Sequence, residues 1–462
     1  MTDEDRPDND DFEELLRGLL GGEGGALGPD QLEQLRGLGV DPAMMQQVLR
    51  QMQSAFQSGA EGIDWNAART QALHLANRDG HGIGTGDRQD FDQAFALATL
   101  WLSEATTVSE LATPPRAVTR GQWVEATLPV WQELAEPVAT SIADALTAAI
   151  DSQTPEEMKD AIAGAGRFMR TIGGSLFAAQ LGGVIGGLSL EVVSGGDVGL
   201  PVMPDGDAVI LPQNFADFGR DLEIDHDQLA LYLATRELAH ARLFRHARWL
   251  RLHVISQVTE FARGIHVDMS ALEELASRFD PSAPEELKAA IESGALLPQR
   301  SEAQTTALQR LENLLATVEG WVDVVTADAT ARLPTADRIA EAVRRRRAVG
   351  GPAERAMGSL VGLELRPRRL REAARMWRTV TDAVGIDARD SLWDYPDLMP
   401  GPGDIDDPSG LVTRLQARMR GDAPPRDAMD DALDALLKSE ASGPGPADGD
   451  DSDDRPDNPR PV

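Results

Sequence analysis

The chain has no cysteine among its 462 residues, only three lysines (Lys159, Lys288 and Lys438), and far fewer bases than acids. Without cysteine, disulfides and thiolate metal sites are excluded, and any metal must be held by histidine and carboxylates. The 44 Lys and Arg stand against 76 Asp and Glu, a formal net charge of −32. A surface so acidic repels nucleic-acid phosphates and anionic membrane headgroups, which argues against a general role on either. The opening MTDEDRPDNDDFEELL has neither the basic nor the apolar region of a secretory signal, so the expected location is cytoplasmic. No segment recurs at a solenoid period.

What is present is a long, mainly helical middle between two acidic ends. Residues 1–30 are acidic and Gly-rich, residues 422–462 acidic and Pro-rich, and both compositions favour disorder. Each carries one short amphipathic stripe: Phe12, Leu15, Leu16, Leu19 and Leu20 in the first, Met429, Ala432, Leu433, Leu436 and Leu437 in the second. Such stripes fold back on their own domain or a second copy, or dock on a partner protein. Between them, in residues 31–421, apolar spacing near 3.6 runs through 91–102, 123–150, 155–172, 228–261, 301–331 and 353–384. One β element is expected from Leu200–Met203 and Val209–Leu211 around the turn signal Pro204-Asp205-Gly206-Asp207. It reads either as a hairpin, whose edge could hold an extended peptide, or as an irregular loop.

Two stretches invite a wrong assignment. Leu176–Val193 approaches the length of a membrane span, but its four glycines, Gln180 and Glu191 lower its hydrophobicity and no basic cluster flanks it. With Gly182, Gly183, Gly186 and Gly187 in GxxxG register, it reads as a buried helix in close backbone contact with a neighbour. The run Arg344–Arg347, followed by Arg366, Arg368, Arg369 and Arg371, could hold an acidic ligand. Pairing with the chain's own excess carboxylates is the simpler account.

The candidate chemistry lies at Arg236-Glu237-Leu238-Ala239-His240, one residue away from the zinc motif H-E-x-x-H. Residues four apart on a helix share a face, so two histidines at that spacing reach one Zn²⁺ while the Glu sits beside the metal-bound water. Zinc lowers that water's pKa to about 7 and the Glu takes its proton. Here Glu237 holds the general-base position and His240 the second-ligand position, but Arg236 offers no lone pair to a metal. His246 follows His240 at the metzincin interval, yet Ala241–Arg245 continues the helix and rotates His246 away, a poor ligand. The better third ligand is Glu319, on a helix running through Leu308, Leu311, Leu314, Leu315, Val318 and Val322. Asp323 lies one turn on, placed to orient His240 or Glu319.

These residues sit in wider similarities: LYLATRELAHARLFRHARWL (231–250), QLGGVIGGLSLEVVSGGDVGLPV (180–202), LPQNFADF (211–218), EGWVD (319–323) and GLELRPRRLREA (362–373), then Trp393 and the Pro396–Pro400 run before Asp407-Pro408. Together, over about 64–420, they resemble a zincin-like family of zinc-dependent metalloproteases common in actinobacteria. Some members of that family are associated with deazaflavin coenzyme biosynthesis. Full-pattern members have His where Arg236 stands, and a subgroup shares the Arg. Trp321 also replaces a frequent His, and Ala247-Arg248 a usual Val-Pro.

The resemblance implies a single large, mainly α zincin-like metallopeptidase domain with a small β element before the active-site helix. It also implies hydrolysis of peptide or amide bonds, with zinc on His240 and Glu319, Glu237 as base and Asp323 in support. The alternative is a metal-free pseudoenzyme that binds peptide or protein through the old cleft and the tail helices. Arg236 decides between them. Turned inward, its guanidinium would hold the carboxylates of a former metal pocket; turned to solvent, it would leave room for a metal.

Overall fold

The computed structural model describes residues 63–153, 159–264, 301–348 and 369–422. Both tail stripes, the arginines at 366 and 368, and the boundary at residue 30 lie outside the described residues.

The expected mainly helical character holds among the described residues. Two N-terminal helices, α1 (Trp65–Asn77) and α2 (Thr85–Ala105), precede the long α3 (Arg120–Gln153) and α4 (Lys159–Glu191). Asp64 starts α1 by accepting from the backbone N–H groups of Asn66 and Ala67 at 3.1 and 3.0 Å, satisfying two of its free donors. The segment from Gly182 to Ser189 is a buried to half-buried stretch of α4 laid against α1, as its glycines suggested. A Cβ on Gly182 would stand 2.4 Å from the Ala68 carbonyl oxygen, and one on Gly186 2.8 Å from Leu75 Cβ. On the facing helix Ala68, Ala72 and Ala76 recur every four residues and are fully buried, so small side chains on both sides let the backbones meet. No helix among the described residues is long and apolar enough to cross a membrane.

A small β element does precede the helix that carries Arg236, but it is not a hairpin. Leu200–Met203 is not a strand, and Pro204–Gly206 forms a 3-10 turn instead of a hairpin loop. The strand β2 (Val209–Ile210) pairs in parallel with β1 (Arg116–Ala117), some ninety residues upstream, and Ile210 also bridges to Ser194 on its other side. A local turn signal could not reveal a partner so distant in sequence. Both flanks of β2 are therefore covered.

After the short α5 (Pro212–Gly219) come α6 (His226–His246) and α7 (Trp249–Arg263). The apolar periodicity predicts one helix over 228–261, but the chain breaks at Ala247, where ψ is 65°. Tertiary contacts outweigh the local pattern: Ala247 is fully buried, and the Trp249 indole stacks on Trp393 and donates to its carbonyl at 3.1 Å. The remainder is α8 (Glu302–Ala329), α9 (Ala336–Ala348), α10 (Leu370–Asp390), α11 (Pro402–Asp406) and α12 (Pro408–Met419). A capping box starts α8, with Ser301 and Gln304 exchanging side-chain-to-backbone hydrogen bonds.

Two helices form the centre. Every residue of α6 from Leu229 to Leu243 is buried, as is every residue of α8 from Leu314 to Thr326. A helix buried all round should be apolar, yet these two carry Arg236, Glu237, His240, Glu319 and Asp323 in their buried stretches. Charges in such a place must find partners.

The two glycine faces of α4 make a test. Gly183, whose added Cβ would meet nothing within 4 Å, should accept Ala with no loss, or a gain of up to about 1 kcal/mol from helix propensity. Gly182→Ala should cost about 1–3 kcal/mol through overpacking against α1. Urea midpoints of the two variants check this; equal midpoints would refute the close approach.

Candidate functional site

The helix α6 stacks Tyr232, Arg236 and His240 one turn apart on one face. The Arg236 guanidinium turns inward: Nη2 lies 2.5 Å from Glu319 Oε2 and Nη1 3.9 Å from Asp323 Oδ1, with the side chain 8% exposed. His240 Nε2 stands 3.0 Å from Glu319 Oε1. Arg236, His240 and Glu319 are thus brought together from helices eighty residues apart, on the face the sequence indicated.

Glu319 is not free to accept more. Arg347 of α9 also pairs with Glu319 Oε2 and donates from Nη2 to the Asp197 carbonyl at 3.0 Å. Neighbouring Arg346 donates to Asp197 Oδ2 at 2.8 Å, and Arg344 to Asp323 Oδ2 at 3.0 Å. Each arginine of the run pairs with a carboxylate of the chain, the simpler of its two readings, and Arg344, Arg346 and Arg347 converge on this site while Arg345 meets Glu341. Arg369 pairs with Asp406 elsewhere. Sequence reasoning did not place Asp197 or the individual arginines here. The signal available was the Ser-Gly-Gly-Asp string at 194–197 and the density of the arginine run.

Asp323 faces Arg344 and Arg236. The orienting contact of His240 comes from its own helix instead, with Nδ1 3.2 Å from the Arg236 carbonyl. His246 ends α6 and meets Asp394 at 3.0 Å, far along the helix from this cluster.

Over the cluster lies the 3-10 turn Gly195–Val198. A Cβ on Gly196 would stand 2.6 Å from His240 Cβ, and Gly199 has φ +75°, a conformation costly for other residues. Glycine lets this turn press on the site. Its Gly196 N–H donates to Glu237 Oε2 at 2.7 Å, and the Val209 N–H of β2 donates to Oε1 at 2.9 Å. Both Glu237 oxygens thus bind backbone, tying turn and strand to α6.

Electrostatics follow from burial. Desolvation pushes the Glu237 carboxyl up to about 7 despite the amides of Gly196 and Val209. Burial would raise Glu319 too, but Arg347, His240 and Arg236 outweigh it and hold the carboxyl below its ordinary range. Asp197 is likewise lowered, with burial overcome by Arg346 and Arg347. Burial also lowers His240 against the pull of Glu319.

As they stand these residues do not fit a zinc ion. Arg236 has no lone pair, His240 Nε2 faces Glu319 at hydrogen-bond distance, and two guanidiniums cover Glu319. Among the described residues, no three His, Cys, Asp or Glu are grouped to hold a metal.

Comparison with known proteins gives two findings. The sequence model of a zincin-like metallopeptidase family matches residues 63–412. A crystal structure from Chloroflexus aurantiacus, described as "a putative hydrolase with a novel fold", superposes with a TM-score of 0.51 at 19% identity, covering 77% of this chain and 99% of that one. That likeness extends to the fold. The curated proteins give no significant match.

The raised carboxyl sets a pH dependence. Between pH 4.5 and about 7 the folded protein keeps a proton on Glu237 that the unfolded chain releases. Stability therefore falls as pH rises through that window, by about 3 kcal/mol at 1.36 kcal/mol per unit. Glu319 and Asp197 act oppositely below about pH 4.5, where their contribution is lost as pH falls, and His240, lowered from 6.5 by burial, also acts oppositely, its part of the stability rising with pH up to about 6.5. Glu237→Gln should flatten the fall between pH 5 and 8 in urea unfolding. An unchanged slope would mean that Glu237 does not carry it.

Proposed function

The chain belongs to the zincin-like metallopeptidase family, and from that premise we propose that it is a metal-free member whose cleft serves to bind peptide or protein. One observation carries the reading. The guanidinium of Arg236, at the position of a metal ligand, lies in hydrogen-bond contact with Glu319, the carboxylate a zinc ion would need. A fixed cation there supplies the charge a metal would supply to the buried carboxylate, but it activates no water. Two further features support this. Both oxygens of Glu237 are engaged by backbone N–H groups, so the general-base position is occupied as a clamp. The strand β2, covered on both sides, leaves no free edge for a substrate strand.

A second reading, a zinc-dependent hydrolase of peptide or amide bonds, is favoured by the gathering of Glu237, His240 and Glu319 in one buried place. It requires Arg236 and Arg347 to leave Glu319.

Metal content separates the two. Protein purified without chelator or a histidine tag should carry almost no zinc, whereas Arg236→His should gain up to about one zinc per chain, the tetrahedral site being restored by a third nitrogen or oxygen ligand. Native protein holding about one zinc per chain, lost in Glu319→Ala, would support the hydrolase instead.

A further inference from the structure

Beside the ion-pair cluster a small cavity is lined by Ser194, Asp197, Arg236, His240, Arg346 and Arg347, with Val193, Leu233 and Val343 completing its walls. Its volume of about 20 Å³ is room for one small guest, since a single water needs roughly 10–15 Å³ on that measure. Side-chain exposure falls from 25% at Arg346 and 14% at Arg347 to 8% at Arg236 and 2% at His240. The cavity thus runs inward from the arginines of α9 to the floor at α6.

Two observations point to the charge of the guest. First, Arg236 Nη1 and Arg347 Nε are buried N–H groups without a hydrogen-bond partner. A buried donor left unpaired is costly, and more so when it carries charge. Second, the lining is unbalanced. Arg236, Arg344, Arg346 and Arg347 share the three carboxylates of Asp197, Glu319 and Asp323, while Glu237 pairs with none of these arginines and accepts from backbone amides instead. One positive charge is left over. A metal cation is the wrong guest for such a place, and a neutral water would leave the charge uncompensated.

We propose that this cavity binds one small monovalent anion, a halide or a carboxylate group, held by Arg236 and Arg347 and entering past Arg346. The inference rests on the metal-free reading, because a zinc ion on His240 and Glu319 would displace Arg236. The anion completes what the arginine substitution begins: the former metal pocket becomes an anion pocket. The carboxylate of a peptide C-terminus is the form in which it would serve protein binding.

Crystals of the full chain grown in bromide test the site and its premise together. The expected result is an anomalous bromide peak in the cavity, within about 3.5 Å of the Arg236 and Arg347 nitrogens. In solution, chloride should raise the melting temperature saturably by about 2–4 °C over a bulky sulfonate at equal ionic strength. Acetate should act likewise, and Arg347→Met should abolish both responses. If that variant does not fold, Arg346→Gln, at the more exposed mouth, should weaken them several-fold. A short peptide acting well below acetate concentrations, while its C-terminal amide is inert, would identify a peptide end as the guest; parity with acetate would identify a free ion. Bromide confined to the outer surface, with no specific chloride effect, would overturn the anion site alone. Zinc fluorescence from the cavity would overturn the metal-free reading as well.

Discussion

The pairing of Arg236 with Glu319 is the constraint from which the rest of the centre follows. Both residues sit on helices buried on every side, where an unpaired charge would cost several kcal/mol. Glu319 can remain ionised there only because cations reach it, and Arg236 alone does not finish the task. Arg347 supplies a second contact, which draws α9 across the site. Arg346 and Arg347 then need Asp197, which fixes the glycine turn over His240. A chain of ion pairs thus connects three helices and one turn. Such a network specifies a geometry more surely than it adds stability, because well-packed apolar groups in its place can be as stable.

The turn and the small sheet complete the enclosure through Glu237. Its two oxygens hold the turn and β2 at once, so the motif residue that is expected to work on a water molecule instead joins three pieces of backbone. Desolvation makes this clamp sensitive to pH near neutrality, unlike the arginine-bound carboxylates, which stay ionised well below it. The pocket is most enclosed at its floor on α6 and most exposed toward Arg346. Recognition of a charged end suits such a site better than accommodation of a long extended chain.

Much of this was legible in the sequence, for definite physical reasons. The Arg236–His240 spacing and the apolar stripe of 308–322 place Arg236, His240 and Glu319 on inward faces, because helical periodicity is local. The Gly182 and Gly186 register indicates close helix contact for the same reason. What escaped depends on distant partners. The mate of Val209–Ile210 lies near residue 116, and no turn signal encodes that. The break at Ala247 is imposed by Trp393, nearly 150 residues away, against an unbroken apolar pattern. Asp323 was expected beside His240 or Glu319 but faces arginines, since the sequence shows that a run of Arg exists without showing which carboxylate each member meets.

The central claim is that Arg236 and Glu319 form one energetic unit in the place of a metal. A double-mutant cycle of Arg236→Met and Glu319→Gln, read by urea unfolding at pH 7, tests it most directly. Each single change should cost about 3–5 kcal/mol by stranding a buried charge, and the double variant should cost at least about 1.5 kcal/mol less than their sum. Additivity within about 0.5 kcal/mol would contradict the account by showing that Arg236 and Glu319 do not act as one unit.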